Sequence, residues 1–118
     1  MGMKYHNIRA GGFDSRKEAR RWQELRLLQR AGMIRDLRRQ VKFELVPEHR
    51  APDTIGPRGG VKKGRVIERA RYYTADFVYV DAKTDKMVVE DVKGYKTDVY
   101  KLKRAIMLDR FGIRIRET

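Results

Sequence analysis

The chain has 118 residues, with 29 lysines and arginines against 16 acids, a formal net charge of +13. That length suits one domain with one modest core, and such a charge is the footprint of a polyanionic partner; nucleic acid is favoured over a membrane, because no stretch pairs a basic face with a broad apolar one. The lack of cysteine excludes disulfides and zinc–cysteine sites and fits a reducing, cytoplasmic compartment, while two histidines, no long apolar run and no apolar signal core argue against a histidine-rich metal site, a membrane span and a secretory leader.

The first element is a helix starting near "FDSRKEARRWQELRLLQRAG". Ser15 caps it, Glu18 sits at N3, and Gly32 is the residue past its end. At about 100° per residue, Trp22, Leu25 and Leu28 form one apolar arc, with Arg16, Arg20 and Arg30 away from its centre. Glu18 falls inside that arc. Such an acid is costly on a core-facing stripe unless a metal or donor compensates it. The alternative is a capping box, Ser15-x-x-Glu18, which turns Glu18 back to the helix start.

Two short strands are expected next, Ile34 to Leu37 and Val41 to Val46, the second ended by Pro47. Residues 47–66 hold all three prolines and four glycines and show no periodicity, which reads as a flexible loop. Within "GPRGGVKKGRVIERAR" six basic residues stand against one acid, so Arg58, Lys62, Lys63 and Arg65 are candidates for following a phosphate backbone, together with Arg16 and Arg20 of the helix. A solvated linker is the other reading of this segment.

"RYYTADFVYVD", "AKTDK" and "MVVEDVKG" then form a hairpin. A second helix runs through "TDVYKLKRAIMLDRFG", capped by Thr97 and closed by Gly112. Val99, Leu102 and Ile106 share one face; Tyr100, Met107 and Phe111 form a second stripe. "IRIRE" closes the chain as a short strand. The order predicts a mixed α/β layer of helices on a small sheet.

The hairpin carries the chemistry. If its loop is symmetric about Lys83 and Thr84, Asp76 lies opposite Asp91, and cross-strand Cβ atoms are about 5 Å apart. Alternation puts Asp91 and Lys93 on one face and Glu90 and Val92 on the other. Two carboxylates that close repel unless a cation lies between them. Hard oxygen ligands suit Mg²⁺ or Mn²⁺. A neighbouring ammonium can orient a water or offset charge on a phosphate. Asp-x-Lys alone is a weak signal, since a second copy, Asp81-Ala82-Lys83, occurs at the hairpin tip. Only Asp91 lies in an apolar strand with an acid opposite.

A helix with an inward Glu, a strand with "ADF", a strand with "EDVKG", then a helix and a strand: this order resembles the PD-(D/E)XK nuclease superfamily. Its restriction-endonuclease-like core is a helix, three strands, a helix and a strand. The chain is also similar to small phage-encoded proteins on that core, related to archaeal-type Holliday-junction resolvases. The resemblance covers nearly the whole chain apart from 47–66. It implies divalent-metal hydrolysis of DNA, with Asp76 as first acid, Asp91 as second acid, Lys93 as motif lysine, Glu18 as the first-helix acid of some branches and the Val92 carbonyl as a further metal ligand. Gln40 stands where some branches place a site residue, a plain strand-edge glutamine being the alternative. Ala75 stands where the nominal motif has proline. Glu90 is an accessory acid or a partner for a helix residue.

The expectation is a Mg²⁺- or Mn²⁺-dependent endonuclease that binds duplex or branched DNA and cuts branched, junction or nicked DNA. Symmetric cutting of a four-way junction implies a homodimer, with Tyr100, Met107 and Phe111 as its seam or as ordinary core. A non-catalytic nucleic-acid binder, and an RNase on the same core, are the competing readings.

Overall fold

The computed structural model of the protein describes residues 12–118, so the N-terminal stretch read for a leader, with His6, lies outside the described residues. Helix α1 spans Arg16–Arg30. The Ser15 hydroxyl accepts the Glu18 amide at 3.1 Å, which satisfies one of the orphan donors of the first turn. Strand β1 runs unbroken over Ile34–Val46, where the sequence pattern gave two strands. Asp36 and Gln40 take left-handed conformations, φ 56° and 51°, and Asp36 lies in a register shift between Arg35 and Arg38. The strand kinks there without ending, which interrupts the apolar spacing of "DLRRQ".

In the segment expected to be a flexible loop, the chain pairs with itself as a hairpin arm. Strands β2 (His49–Arg50) and β5 (Val66–Glu68) pair at its root, and β3 (Thr54–Ile55) and β4 (Val61–Lys62) pair near its tip. Its prolines and glycines are spent on bends and close approaches. At Gly64 an added Cβ would lie 1.8 Å from the Ala51 carbonyl oxygen. Only glycine allows the two backbones to come so near.

Strands β6 (Arg71–Asp81) and β7 (Lys86–Asp91) follow, then helix α2 (Asp98–Phe111) and strand β8 (Arg116–Glu117). The sheet order is β1-β6-β7-β8, antiparallel throughout except for β8, which lies parallel to β7. The structure is thus mixed α/β, two helices on a mixed sheet. Thr97 caps α2 by accepting the Tyr100 amide, and Gly112 ends it at φ 68°.

The sheet has a hydrophobic cluster on each face rather than one core. Phe13, Leu25, Ile34, Phe77 and Tyr79 form the cluster under α1. Leu45, Tyr73, Ala75, Val78, Val89, Tyr100, Met107 and Ile115 form that under α2. Of the two readings of the α2 stripe, core packing holds for two of its three residues. Tyr100 and Met107 are buried in that cluster, while Phe111, ring-packed near Phe43, stays exposed at the helix end. Val99, Leu102 and Leu108 are exposed as well, and Ile106 is half-buried. Among the described residues no helix is long and apolar enough to cross a membrane.

Candidate active site

The β6–β7 register pairs Phe77 with Glu90, Val78 with Val89 and Tyr79 with Val88. Continued by one residue, it places Asp76 opposite Asp91, as the symmetric-loop argument required. The β1–β6 register, with Arg39 on Phe77 and Val41 on Ala75, places Gln40 against Asp76. Ala75 packs with the α2 cluster and Phe77 with the α1 cluster. Residues two apart in a regular strand face the same way, so the pleat is broken at Asp76, where its neighbour Gln40 is left-handed. Asp76 is thereby able to reach groups on both sides of the sheet.

On the α1 side it meets Glu18. The Gln40 amide nitrogen lies 3.5 Å from Glu18 Oε2 and 3.4 Å from Asp76 Oδ1, at the long end of hydrogen bonding. The Glu18 side chain is therefore turned inward, although Ser15 caps its amide; it is 4% exposed. Burial pushes its carboxyl up to about 7, with Asp76 and Asp14 adding and Arg39 opposing. At the strand end, Asp76 Oδ2 accepts the Val92 amide at 2.8 Å.

On the α2 side lies Asp91, also buried. The Tyr73 hydroxyl donates to its Oδ2 at 2.6 Å. Burial pushes its carboxyl up to about 7; a hydrogen bond with the Asp76 carboxyl raises it further, against Tyr73 and Lys93, which lower it. Lys93 Nζ stands 3.6 Å from Asp91 Oδ1 and 4.3 Å from the Tyr100 ring centre. Its main chain is held at both ends: the amide donates to the Thr118 carbonyl, and its own carbonyl accepts from Lys17 Nζ at 3.2 Å.

Glu90, next in sequence to Asp91, does other work. It is fully buried on the α1 side and accepts from Arg21 Nε at 2.5 Å and Nη2 at 3.1 Å, and from the Tyr79 hydroxyl at 2.6 Å. Of its two sequence readings, the helix partner is the one found. This bidentate pair ties α1 to β7 one turn after Glu18.

The chain matches, over residues 2–116, a family described as "Protein of unknown function (DUF1064)". The chain belongs to this family. It matches no curated protein and no solved structure.

For this member of DUF1064 the donor chemistry decides what the site could hold. Among the described residues no three His, Cys, Asp or Glu side chains form a ready-made cage for an ion. Mg²⁺ does not need one: it keeps several waters and binds through one or two carboxylates. Glu18 and Asp91 are both pushed to about 7 around Asp76, so the site concentrates more acid than its donors ionise at neutral pH. That all-oxygen set fits a hard divalent cation.

The cationic candidates divide. Arg16 and Arg20 are exposed on α1, and Arg20 lines a shallow cavity with Lys17, Arg21, Val92 and Arg116. Arg58, Lys62, Lys63 and Arg65 are exposed on the arm, among residues outside both clusters. Sequence reasoning missed Tyr73, which orients Asp91, and Arg39, whose guanidinium lies 3.7 Å from the Phe13 ring centre and opposes the charge of Glu18. Tyr73 carried a signal: it stands in an aromatic, β-branched strand three residues before the first acid. Arg39 carried none among so many arginines.

Proposed function

We propose that this protein is a divalent-metal-dependent endonuclease that hydrolyses phosphodiester bonds in DNA, built on a restriction-endonuclease-like core. One observation carries the reading: Glu18, Asp76 and Asp91, from a helix and two strands, converge at one sheet end with Lys93 Nζ 3.6 Å from Asp91. Asp76 and Asp91 would hold Mg²⁺ or Mn²⁺, with Glu18 and the Val92 carbonyl completing the set. When bound, the ion supplies Lewis-acid stabilisation of phosphate charge and eases deprotonation of water. Lys93 offers its ammonium to the attacking water or a phosphate oxygen. Tyr73 and Gln40 orient Asp91, Asp76 and Glu18 through the contacts above. Branched or junction DNA as substrate, and a homodimer to cut it symmetrically, follow from the family resemblance.

The test is incubation of purified protein with plasmid, flap and four-way-junction DNA, and matching RNA, in Mg²⁺, Mn²⁺ or EDTA. Metal-dependent nicking that Asp76→Asn and Asp91→Asn both abolish is the expected outcome. No cutting on any substrate would return the chain to a non-catalytic binder, and cutting of RNA alone to an RNase. Calorimetric titration with Mn²⁺ checks the ligands separately: equal affinity in wild type and Asp76→Asn would remove Asp76 from the metal site.

A further inference from the structure

The arm, residues 47–70, pairs with itself and contributes no residue to either hydrophobic cluster. Near its root Arg50 pairs with Glu48 at 2.7 Å and Arg71, just beyond the arm, with Glu68 at 3.5 Å, while Arg69 has no ion pair among the described residues. Towards the tip this changes. Residues 54–66 include Arg58, Lys62, Lys63 and Arg65 and no acid. None of these four has an ion pair among the described residues. Ile55 and Val61 are cross-strand partners at the tip, 71% and 70% exposed. Thr54 and Lys62 pair next to them, on the opposite face by alternation.

We infer that this arm is a β-ribbon that enters the major groove of duplex DNA, where Ile55 and Val61 contact thymine methyl groups and the flanking cations meet phosphates on both walls. The inference rests on DNA as the partner, and not on cleavage. A flat anionic surface would be met by cations on one face; a groove has phosphate on both sides. A membrane would call for a broad apolar face, and here it is one pair. Paired strands lie about 5 Å apart. With side chains, such a ribbon fits the major groove, about 12 Å wide, and not the minor groove, about 6 Å. The thymine methyl is the apolar feature that the major groove presents.

The experiment measures binding in EDTA, so that cleavage plays no part. Fluorescence anisotropy compares one duplex carrying thymine with the same duplex carrying uracil. Wild type should bind the uracil duplex more weakly, by about fourfold for each buried methyl lost. Ile55→Ser/Val61→Ser should bind both duplexes alike, with its salt dependence unchanged. Arg58→Gln/Lys62→Gln/Lys63→Gln/Arg65→Gln should weaken both and flatten the log–log salt slope by about 3 to 4. Competition on wild type alone guards against misfolded variants: methyl green, in the major groove, should displace the protein and netropsin, in the minor groove, should not. Indifference of wild type to uracil, discrimination that survives Ile55→Ser/Val61→Ser, or displacement by netropsin alone would each overturn the inference. So would tighter binding to duplex RNA, whose deep, narrow major groove excludes a ribbon. Cleavage without thymine preference sinks the arm and spares the nuclease; thymine preference without metal-dependent cutting does the reverse.

Discussion

Asp81-Ala82-Lys83 and Asp91-Val92-Lys93 lie at opposite ends of the same β6–β7 hairpin. In the first, Asp81 Oδ1 accepts the Lys83 amide at 2.8 Å and the Thr84 amide at 3.4 Å, and Lys83 is exposed. It is a turn-closing aspartate of an ordinary kind. In the second, Asp91 is 3% exposed, faces Asp76 and accepts from Tyr73, and its lysine is half-buried against Tyr100. The same triplet makes a turn at one end and joins a buried acidic cluster at the other. Its chemistry comes from what the neighbouring strands and helices bring to it.

The comparison breaks first on cleavage. Under the proposed function Asp91→Asn removes a ligand and should abolish metal-dependent nicking, well beyond the about 10–100-fold cost of losing an outer-shell partner. Asp81→Asn should cut at the wild-type rate. Plasmid nicking at saturating Mg²⁺ measures both. The reverse result would place the active strand end wrongly.

The lysines give the next-largest contrast. Loss of one transition-state contact of this type costs about 10²–10³ in rate. Lys93→Ala should show that loss in single-turnover nicking, with DNA affinity little changed, since one of many cations is removed. Lys83→Ala should be silent in both assays. Should Lys83→Ala abolish nicking and Lys93→Ala spare it, the assignment of the two copies is inverted.

Much of this was legible in the sequence, for reasons that also mark where legibility stops. Ser15, Thr97 and Gly112 act at short range, so both helices could be bounded from local chemistry. The β6–β7 loop is short, so counting residues about its centre fixed the register and set Asp76 opposite Asp91. The β1–β6 connection is the whole 47–70 arm. No counting rule spans it, so the meeting of Gln40 with Asp76 could not be derived. The strand pairing inside the arm could not be read either, because prolines and glycines report bends, not whether the bent chain pairs with itself. The α2 stripes were apolar on both sides; which one is buried depends on where the sheet lies.

A third contrast is in stability. Burial raises the Asp91 carboxyl from 3.8 and the Glu18 carboxyl from 4.5, both to about 7. The folded protein then binds more protons than the unfolded chain between about pH 4 and 7. The stability these groups contribute is complete below their unfolded values and is lost as pH rises through about 7. In EDTA the melting temperature should therefore fall by several degrees from pH 5 to pH 8. Asp91→Asn should flatten part of that fall, and Asp81→Asn should leave it intact. Melting temperatures that rise with pH in EDTA would contradict the buried acidic cluster. Adding Mn²⁺ should raise the melting temperature most at pH 8, where the ligands are ionised.

The smallest effect belongs to the turn. Asp81→Ala deletes the side-chain oxygen that holds the Lys83 and Thr84 amides. Both amides are near solvent, so water replaces much of what is lost. The turn also stays closed by the Asp85 amide, which donates to the Asp81 carbonyl at 2.7 Å, and by the pairing of Asp81 with Lys86. A hydrogen bond of this kind is worth about 1 kcal/mol net. Urea denaturation of Asp81→Ala should show a loss of that size, with an unchanged m-value because the surface exposed on unfolding is the same. Nicking at a temperature where both proteins are folded should match wild type. A large drop in nicking with normal stability would mean that the hairpin tip touches the substrate. The two Asp-x-Lys copies would then belong to one DNA-facing edge of the hairpin and not to two separate functions.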